Sequence, residues 1–251
     1  MKNRRFVLIG GGELGRPGYP YETLEIDKEV VSLASKQTVL FVGLAQVTSG
    51  ESHIIKYYNC IKNNYQNLGC DVINFDCYNF DKDIQNTKKQ ILDAGIIYFG
   101  GGDTKYLVDT LKKYKLDKTI LKACDNGTVL AGLSAGANLM GKIGLSLVNY
   151  KKYQAREPVG IDGFDMLPFV IVPHFASDEI RQEQLQVYLK QNSNFVGLGI
   201  DNGCAFVCNG NKCKTVHSLL NSKIHICKCI NNNYIQKDLS IKQYVNIEDI
   251  F

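Results

Sequence analysis

Short apolar runs separated by amphipathic stretches are the feature that most limits how this chain can fold. The runs are rich in β-branched residues and end in glycine or polar residues, which predicts strands buried on both faces. Between them, apolar residues recur at helical spacing, as over residues 54–65. The alternation predicts an α/β fold with a mostly parallel sheet and helices on both faces. The predicted strands are Arg5–Ile9, Thr38–Val42, Asp71–Phe75, Gly95–Phe99, Thr128–Ala131, Phe169–Val172 and Phe195–Ile200.

The end of the chain has a different pattern. Short strand-like runs there are split by Asn-Gly, Asn-Ser and Asn-Asn-Asn, which are hairpin signals. We therefore expect the parallel sheet to finish in an antiparallel hairpin extension. The chain has 251 residues, a hydrophobic fraction of 45% and no evident linker, so a single domain over residues 1–251 is expected. The predicted strands of the extension are Cys204–Cys208, Cys213–Ser218, Lys223–Cys229 and Tyr234–Ile235.

Composition argues against several classes of function. The formal net charge is +4, and the lysines are spread along the chain rather than gathered in the basic stripe of a nucleic-acid-binding protein. Nine cysteines without a CxxC pair indicate reduced thiols rather than a zinc site. The apolar run Phe6–Ile9 is too short for a signal peptide, and no stretch is long enough to span a membrane. We expect a cytoplasmic protein with no nucleic-acid or membrane partner and no bound metal.

A glycine loop, Gly10–Gly15, follows the first predicted strand. It formally matches G-x-G-x-x-G, which binds dinucleotides in Rossmann domains. A Rossmann loop opens directly into a helix, whereas Pro17, Gly18 and Pro20 come next here, and the acidic residue expected after the second strand is missing. Close approach of the backbone at the sheet edge explains the glycines as well. We therefore expect no cofactor.

A second glycine loop, Gly100–Thr104, lies between a predicted strand and a predicted helix. Its backbone N–H groups would point into the crevice above the sheet, as in an oxyanion hole or anion nest. The alternative is a tight turn in which Asp103 or Thr104 caps the helix. Both interpretations remain open at this point.

The segment Gly132–Ala137 has the G-x-S-x-G pattern, with a predicted strand before it and a predicted helix after it. In such a turn Ser134 adopts a strained backbone conformation that projects its hydroxyl, and small neighbours let the strand and helix close around it. The N–H of Ala135 would face the same point as Ser134 Oγ. The pattern predicts a nucleophile elbow; the alternative is a small-residue turn with an incidental serine.

A serine hydroxyl is a poor nucleophile until a base takes its proton. The chain has four histidines, and His174 follows the predicted strand Phe169–Val172 directly after Pro173. It therefore lies at the carboxyl edge of the sheet, where the sites of open α/β sheets are found. We predict that His174 is the base for Ser134.

Taken in order, the motifs around Gly100–Thr104, Ser134 and His174 make the chain resemble the peptidase E (aspartyl dipeptidase) and cyanophycinase family of serine peptidases. The resemblance implies a class I glutamine amidotransferase-like (flavodoxin-like) fold and cleavage of peptide or isopeptide bonds next to aspartate. It also implies that Ser134 is the nucleophile and His174 the base. Under the same resemblance, Gly101 or Gly102, together with Ala135, would supply the oxyanion-hole donors.

The chain departs from this family at several positions. The dipeptidases carry a glutamate where Asn202 stands, and a neutral amide stabilises a charged imidazole less than a carboxylate does. Asp201 and Glu157 are the alternative acids. Asp103 replaces an asparagine of the family's glycine loop, which would alter the charge that a substrate amine meets. Arg181 matches an arginine that reads the substrate's aspartate, although it could equally be a solvated helix residue.

These observations favour a serine exopeptidase that acts on short peptides through a Ser-His-(Asp/Glu) mechanism, on substrates that could include acidic ones. The alternative is a non-catalytic or weakly active binding relative, motivated by Asn202. A nucleotide-dependent enzyme using Gly10–Gly15 is a further alternative. The expected assembly is a monomer or a homodimer.

Overall fold

The computed structural model describes residues 4–250 and has a mixed α/β fold. Within that range, no helix is both long and apolar enough to cross a bilayer. The helices are α1 (Leu24–Leu33), α2 (Glu51–Asn67), α3 (Ile84–Asp93), α4 (Thr104–Lys113), α5 (Leu116–Asp125), α6 (Ala135–Met140), α7 (Leu147–Lys152) and α8 (Glu179–Gln191). The strands are β1 (Arg5–Ile9), β2 (Thr38–Val42), β3 (Asp71–Asn74), β4 (Ile96–Phe99), β5 (Val129–Leu133), β6 (Gly141–Leu145), β7 (Gly160–Asp162), β8 (Leu167–Pro173), β9 (Val196–Ile200), β10 (Cys204–Asn209), β11 (Lys212–His217), β12 (Ile224–Ile230), β13 (Asn233–Leu239) and β14 (Val245–Asn246).

The first sheet contains most of the predicted parallel strands. Its order is β14-β11-β10-β1-β5-β4-β2-β3, and β1, β5, β4, β2 and β3 run parallel. The strands β10, β11 and β14 extend it in antiparallel fashion beyond β1. The prediction that every strand is buried on both faces is wrong for β3, which is mostly exposed because it lies at the edge of the sheet.

A second sheet replaces the single sheet that we expected. Its order is β13-β12-β9-β8-β6-β7, with β6, β8 and β9 parallel and the other strands antiparallel. The prediction that β8 and β9 join the first sheet is therefore wrong. An apolar run indicates a strand but carries no information about its pairing partner. The Asn-Ser signal is also wrong as a hairpin, because β11 and β12 belong to different sheets, whereas the Asn-Gly and Asn-Asn-Asn turns do connect paired strands.

Helix α6 lies where the two sheets meet and contacts β1 and β5 of the first sheet and β6 and β8 of the second. Helices α1 and α2 cover one face of the first sheet, and α8 covers the outer face of the second. An aromatic pair joins the sheets directly: Phe169 on β8 packs edge-on against Phe206 on β10, with ring centroids 5.8 Å apart. Both rings are fully buried. The packing between the sheets thus fixes the relative positions of β5 and β8, the strands that end just before Ser134 and His174.

We expect Phe206→Ala to lower the free energy of unfolding by about 3–5 kcal/mol, because it removes a buried ring and leaves a cavity between the sheets. Urea unfolding followed by circular dichroism measures the change. Leu220→Ala is the control: this side chain is 99% exposed, so its loss should alter stability by no more than about 0.5 kcal/mol. Equal stability of the Phe206 variant and the native protein would contradict the described packing.

Candidate active site

Three successive carbonyls at the end of β1 hold the segments of the site together. The carbonyl of Ile9 accepts the amide N–H of Ser134 at 3.0 Å, and that of Gly10 accepts the amide of His174 at 3.0 Å. The next carbonyl along the chain accepts from Gly203 at 2.9 Å. Because β1 belongs to the first sheet and His174 follows a strand of the second, these bonds bring the two sheet edges to one point.

The glycine at position 11 is required by this close approach. A Cβ on Gly11 would lie 2.3 Å from the imidazole of His174 and 2.3 Å from Oδ1 of Asn202. Beyond it the loop folds back through a bridge between Leu14 and Tyr21, and α1 begins only at Leu24. The loop therefore lacks the direct strand–loop–helix geometry of a Rossmann fingerprint.

Ser134 sits on a sharp turn between β5 and α6. Its backbone has φ 55° and ψ −106°, a conformation that a non-glycine residue rarely adopts. A Cβ on Gly136 would lie 2.4 Å from the carbonyl oxygen of Phe99, so only glycine lets α6 approach the sheet this closely. This strained strand–turn–helix is the geometry of a nucleophile elbow.

His174 also has left-handed backbone geometry, with φ 55° and ψ 36°. Its Nδ1 lies 2.5 Å from Oδ1 of Asn202. Since an amide oxygen can only accept, Nδ1 carries the proton and Nε2 presents its lone pair. Burial lowers the pKa of His174 below its ordinary value, and the nearby Arg181 charge lowers it further, while the Asn202 hydrogen bond acts in the opposite direction. The imidazole is therefore biased toward its neutral form.

Ser134 and His174 line the same cavity, which has a volume of about 380 Å³. The cationic side chain of Lys56 on α2 also lines it, as does the side chain of His53 on the same helix. Arg16 lines it too, but the guanidinium is paired with Glu13. The cavity thus combines a hydroxyl, an imidazole and positive charge.

The glycine loop presents its amides beside the serine. The N–H of Gly101 donates to the Tyr57 hydroxyl at 3.3 Å, and the Gly101 carbonyl accepts from Nε2 of Gln46 at 2.8 Å. Of the predicted oxyanion donors, this leaves the amides of Gly102 and Ala135, for which no acceptor is found among residues 4–250.

Neither predicted acid contacts the imidazole. Asp201 accepts from the backbone amides of Ala176 at 2.9 Å and Lys223 at 3.0 Å, so it holds loops together. Glu157 is exposed and accepts from Gln191. The structure instead brings the amide of Asn202 to the position beside the histidine.

The predicted substrate-binding residues Asp103 and Arg181 do not line the cavity. The Asp103 carboxylate is buried, caps α4 by accepting from the Tyr106 amide, and pairs with Lys152 at 2.8 Å. These contacts agree with the alternative interpretation of the glycine loop, in which Asp103 caps the helix that follows it. Arg181 is partly buried near His174, and its Nε finds no partner among residues 4–250.

Gln46 and Tyr57 are site residues that the sequence analysis missed. Tyr57 lies next to Tyr58, which belongs to the apolar face of α2, so nothing in the helical pattern marked it as polar-facing. Gln46 lies in a short 3₁₀ segment, Leu44–Ser49, which begins two residues after the end of β2. Its place at the carboxyl end of a parallel strand was the available signal.

The fold, together with the strained serine turn and a histidine in one cavity, defines a serine-type hydrolase. Peptidase family S51 matches residues 6–216, and the chain belongs to this family. It is 26% identical to peptidase E of Nostoc sp. over 210 residues, covering 81% of this chain and 81% of that protein. It is likewise 26% identical to peptidase E of Haemophilus influenzae over 212 residues, covering 82% and 91%. The crystal structure of a peptidase from an acI-B1 Actinobacterium superposes with a TM-score of 0.77 at 22% identity, covering 98% of this chain and 99% of that one.

We expect Asn202→Glu to raise the pKa of His174, because a carboxylate favours the imidazolium and an amide does so only weakly. An NMR titration of the imidazole resonances measures the change. Glu157→Gln, an exposed and distant substitution, serves as the control and should leave the titration of His174 unaltered. An unchanged pKa in the Asn202 variant would contradict the contact between these two side chains.

Proposed function

We propose that this peptidase is a serine exopeptidase that hydrolyses short peptides, with Ser134 as nucleophile and His174 as general base. The observation that supports it most strongly is the strained Ser134 turn sharing a cavity with an imidazole whose Nδ1 is held by an acceptor. With Nδ1 protonated, Nε2 takes the serine proton as Oγ attacks the carbonyl carbon. The same nitrogen then returns the proton to the leaving amine.

In this proposal Asn202 takes the place of the triad acid. Its oxygen orients the ring and selects the tautomer, as asparagine does in papain-like proteases. It supplies no negative charge, so it stabilises the imidazolium formed during attack less than a carboxylate would. We therefore propose a working but slower enzyme than one with a carboxylate at this position.

The developing oxyanion would be received by the backbone amides of Gly102 and Ala135. Ala135 follows Ser134 at the start of α6, and Gly102 lines the same cavity as Ser134 from the glycine loop. Donors fixed by the backbone need no reorganisation when charge develops, which is why such sites contribute strongly to rate.

A non-catalytic binding protein is the second candidate, favoured by the neutral amide at residue 202. It would retain the cavity and bind peptides without turning them over. Ser134→Ala separates these candidates, because a binding protein has no activity to lose.

We expect a dipeptide library to reveal substrates of the native protein whose turnover falls by roughly 10⁴-fold or more in Ser134→Ala, since removing a nucleophile disables the whole catalytic unit. Mass spectrometry of the products measures it. Ser32→Ala, an exposed serine on α1, is the matched control and should retain full activity. Equal activity in the Ser134 and Ser32 variants would overturn the serine mechanism.

Charge in the cavity supports a preference for acidic substrates. Lys56 lines the cavity and is exposed, and no ion pair involving it is found in the described part of the chain. Arg16, by contrast, is neutralised by Glu13. We propose that Lys56, rather than the partly buried Arg181, contacts a substrate carboxylate.

We expect Lys56→Met to reduce the preference for Asp-containing over Asn-containing dipeptides by roughly 10-fold, since a hydrogen bond to a charged group contributes about 1.5–3 kcal/mol. The ratio of kcat/KM values for matched dipeptides measures this. Lys62→Met changes an exposed lysine on the same helix that does not line the cavity, and should keep the native ratio. Loss of the preference in Arg181→Met but not in Lys56→Met would place the carboxylate at the arginine instead.

We also propose a more specific assignment of the fold. A class I glutamine amidotransferase-like arrangement within a single domain is supported by the parallel strands β1, β5, β4, β2 and β3 and by the serine turn after β5. In that arrangement the second sheet is an addition to the first, and its strand β8 positions His174.

A further inference from the structure

Tyr57 projects from α2 toward the glycine loop and is held firmly there. Its ring packs against Phe41, with centroids 5.1 Å apart. On another side it lies against Gly100, where a Cβ would come within 3.0 Å of the ring. Its hydroxyl accepts the amide N–H of Gly101. The phenol oxygen is therefore fixed in place by packing and by a backbone donor.

Within the described residues, the proton of the Tyr57 hydroxyl is not donated in any hydrogen bond. A phenol oxygen has one proton to donate and lone pairs to accept with, and the Gly101 bond uses only a lone pair. The hydroxyl of Tyr98 also lies beside it and donates toward the Tyr57 oxygen, and among residues 4–250 no hydrogen bond is found in which the Tyr57 O–H itself donates. Tyr57 lines the cavity that contains Ser134. The O–H is thus a donor available to whatever occupies that cavity.

The hydroxyl remains protonated under ordinary conditions. Burial raises the pKa of Tyr57 above that of a free phenol, and this effect outweighs the opposing influence of the hydrogen bonds from the Gly101 amide and the Tyr98 hydroxyl. Accepting a bond from that amide also polarises the O–H, which strengthens it as a donor.

The hydroxyl is hydrogen-bonded to a residue that lies next to the proposed nucleophile. A Cβ on Gly101 would lie 3.3 Å from Cβ of Ser134, so the peptide that Tyr57 holds borders the nucleophile. Gln46 holds the carbonyl of the same residue at 2.8 Å. Gly101 is therefore restrained at both its N–H and its carbonyl, and Tyr57 lines the cavity beside it.

We propose that Tyr57 is a further catalytic residue, whose hydroxyl donates a hydrogen bond to the substrate carbonyl oxygen as negative charge develops on it. This inference rests on the proposed serine mechanism. It assigns to a side chain the oxyanion contact that the engaged Gly101 amide does not make.

Tyr57→Phe tests the inference by removing one oxygen atom. We expect kcat to fall by about 10²-fold with little change in KM, as for the loss of a donor that acts mainly in the transition state. Tyr58→Phe is the matched control, because its hydroxyl lies one residue away and donates to the Val72 carbonyl. Native activity in Tyr57→Phe, a loss confined to KM, or an equal loss in Tyr58→Phe would each overturn the proposal.

A peptidyl boronic acid gives a second readout, because its tetrahedral serine adduct carries the oxygen that Tyr57 is proposed to contact. Its affinity should weaken in Tyr57→Phe by about the same factor as kcat/KM. Unchanged affinity beside a reduced kcat would assign Tyr57 a structural role and overturn the inference.

Should Tyr57→Phe fail to fold, 3,5-difluorotyrosine at position 57 keeps the hydroxyl but lowers its pKa, and a phenolate cannot donate. Activity should then decline at a lower pH on the alkaline side than in the native enzyme, and an unshifted alkaline limb would overturn the inference. An inactive Ser134→Ala with a fully active Tyr57→Phe defeats this inference alone, whereas an active Ser134→Ala defeats the serine mechanism itself.

Discussion

The end of β1 is the constraint on which the site depends. Its consecutive carbonyls bind the amides of Ser134, His174 and Gly203, which come from three separate segments of the chain. A strained serine turn and a left-handed histidine can persist only when their surroundings over-determine them. The fixed spacing of the carbonyls of three consecutive residues provides that restraint, and it joins the serine of the first sheet to the histidine of the second. A side chain at position 11 would destroy the arrangement by occupying the space of the imidazole.

The proposed chemistry depends on the hydrogen-bond partner of each imidazole nitrogen of His174. Asn202 engages Nδ1 and leaves Nε2 as the basic site, while burial and Arg181 keep the pKa of the ring low. For the proposed base, a low pKa favours the unprotonated form, although it also makes the base weaker. An amide in place of a carboxylate is consistent with this balance, since a carboxylate would raise the pKa and stabilise the charged ring.

Much of this architecture could be predicted from the sequence because it is local. The apolar runs gave β1 and β2 with their observed bounds, and the small residues around Ser134 indicated its turn. The position of Asn202 was also recognisable, since it stands where relatives are expected to carry an acid. Local signals of this kind depend on residues that are close in sequence.

The remainder depends on contacts between distant segments, which periodicity does not record. The assignment of β8 and β9 to a second sheet follows from packing around α6 and the Phe169–Phe206 contact. The carboxylates of Asp201 and Asp103 looked available in the sequence, but backbone amides and Lys152 engage them in the fold. Tyr57 could not be predicted as a residue of the site, because its neighbour Tyr58 fits the apolar face of the same helix.

Labelling with a fluorophosphonate tests the central claim most directly, because it reports whether the hydroxyl of residue 134 is activated without requiring a known substrate. The account predicts a single adduct on Ser134, identified by peptide mass spectrometry, formed rapidly by the native protein and very slowly by His174→Ala. Absence of an adduct on Ser134, or labelling at the same rate in both proteins, would contradict it.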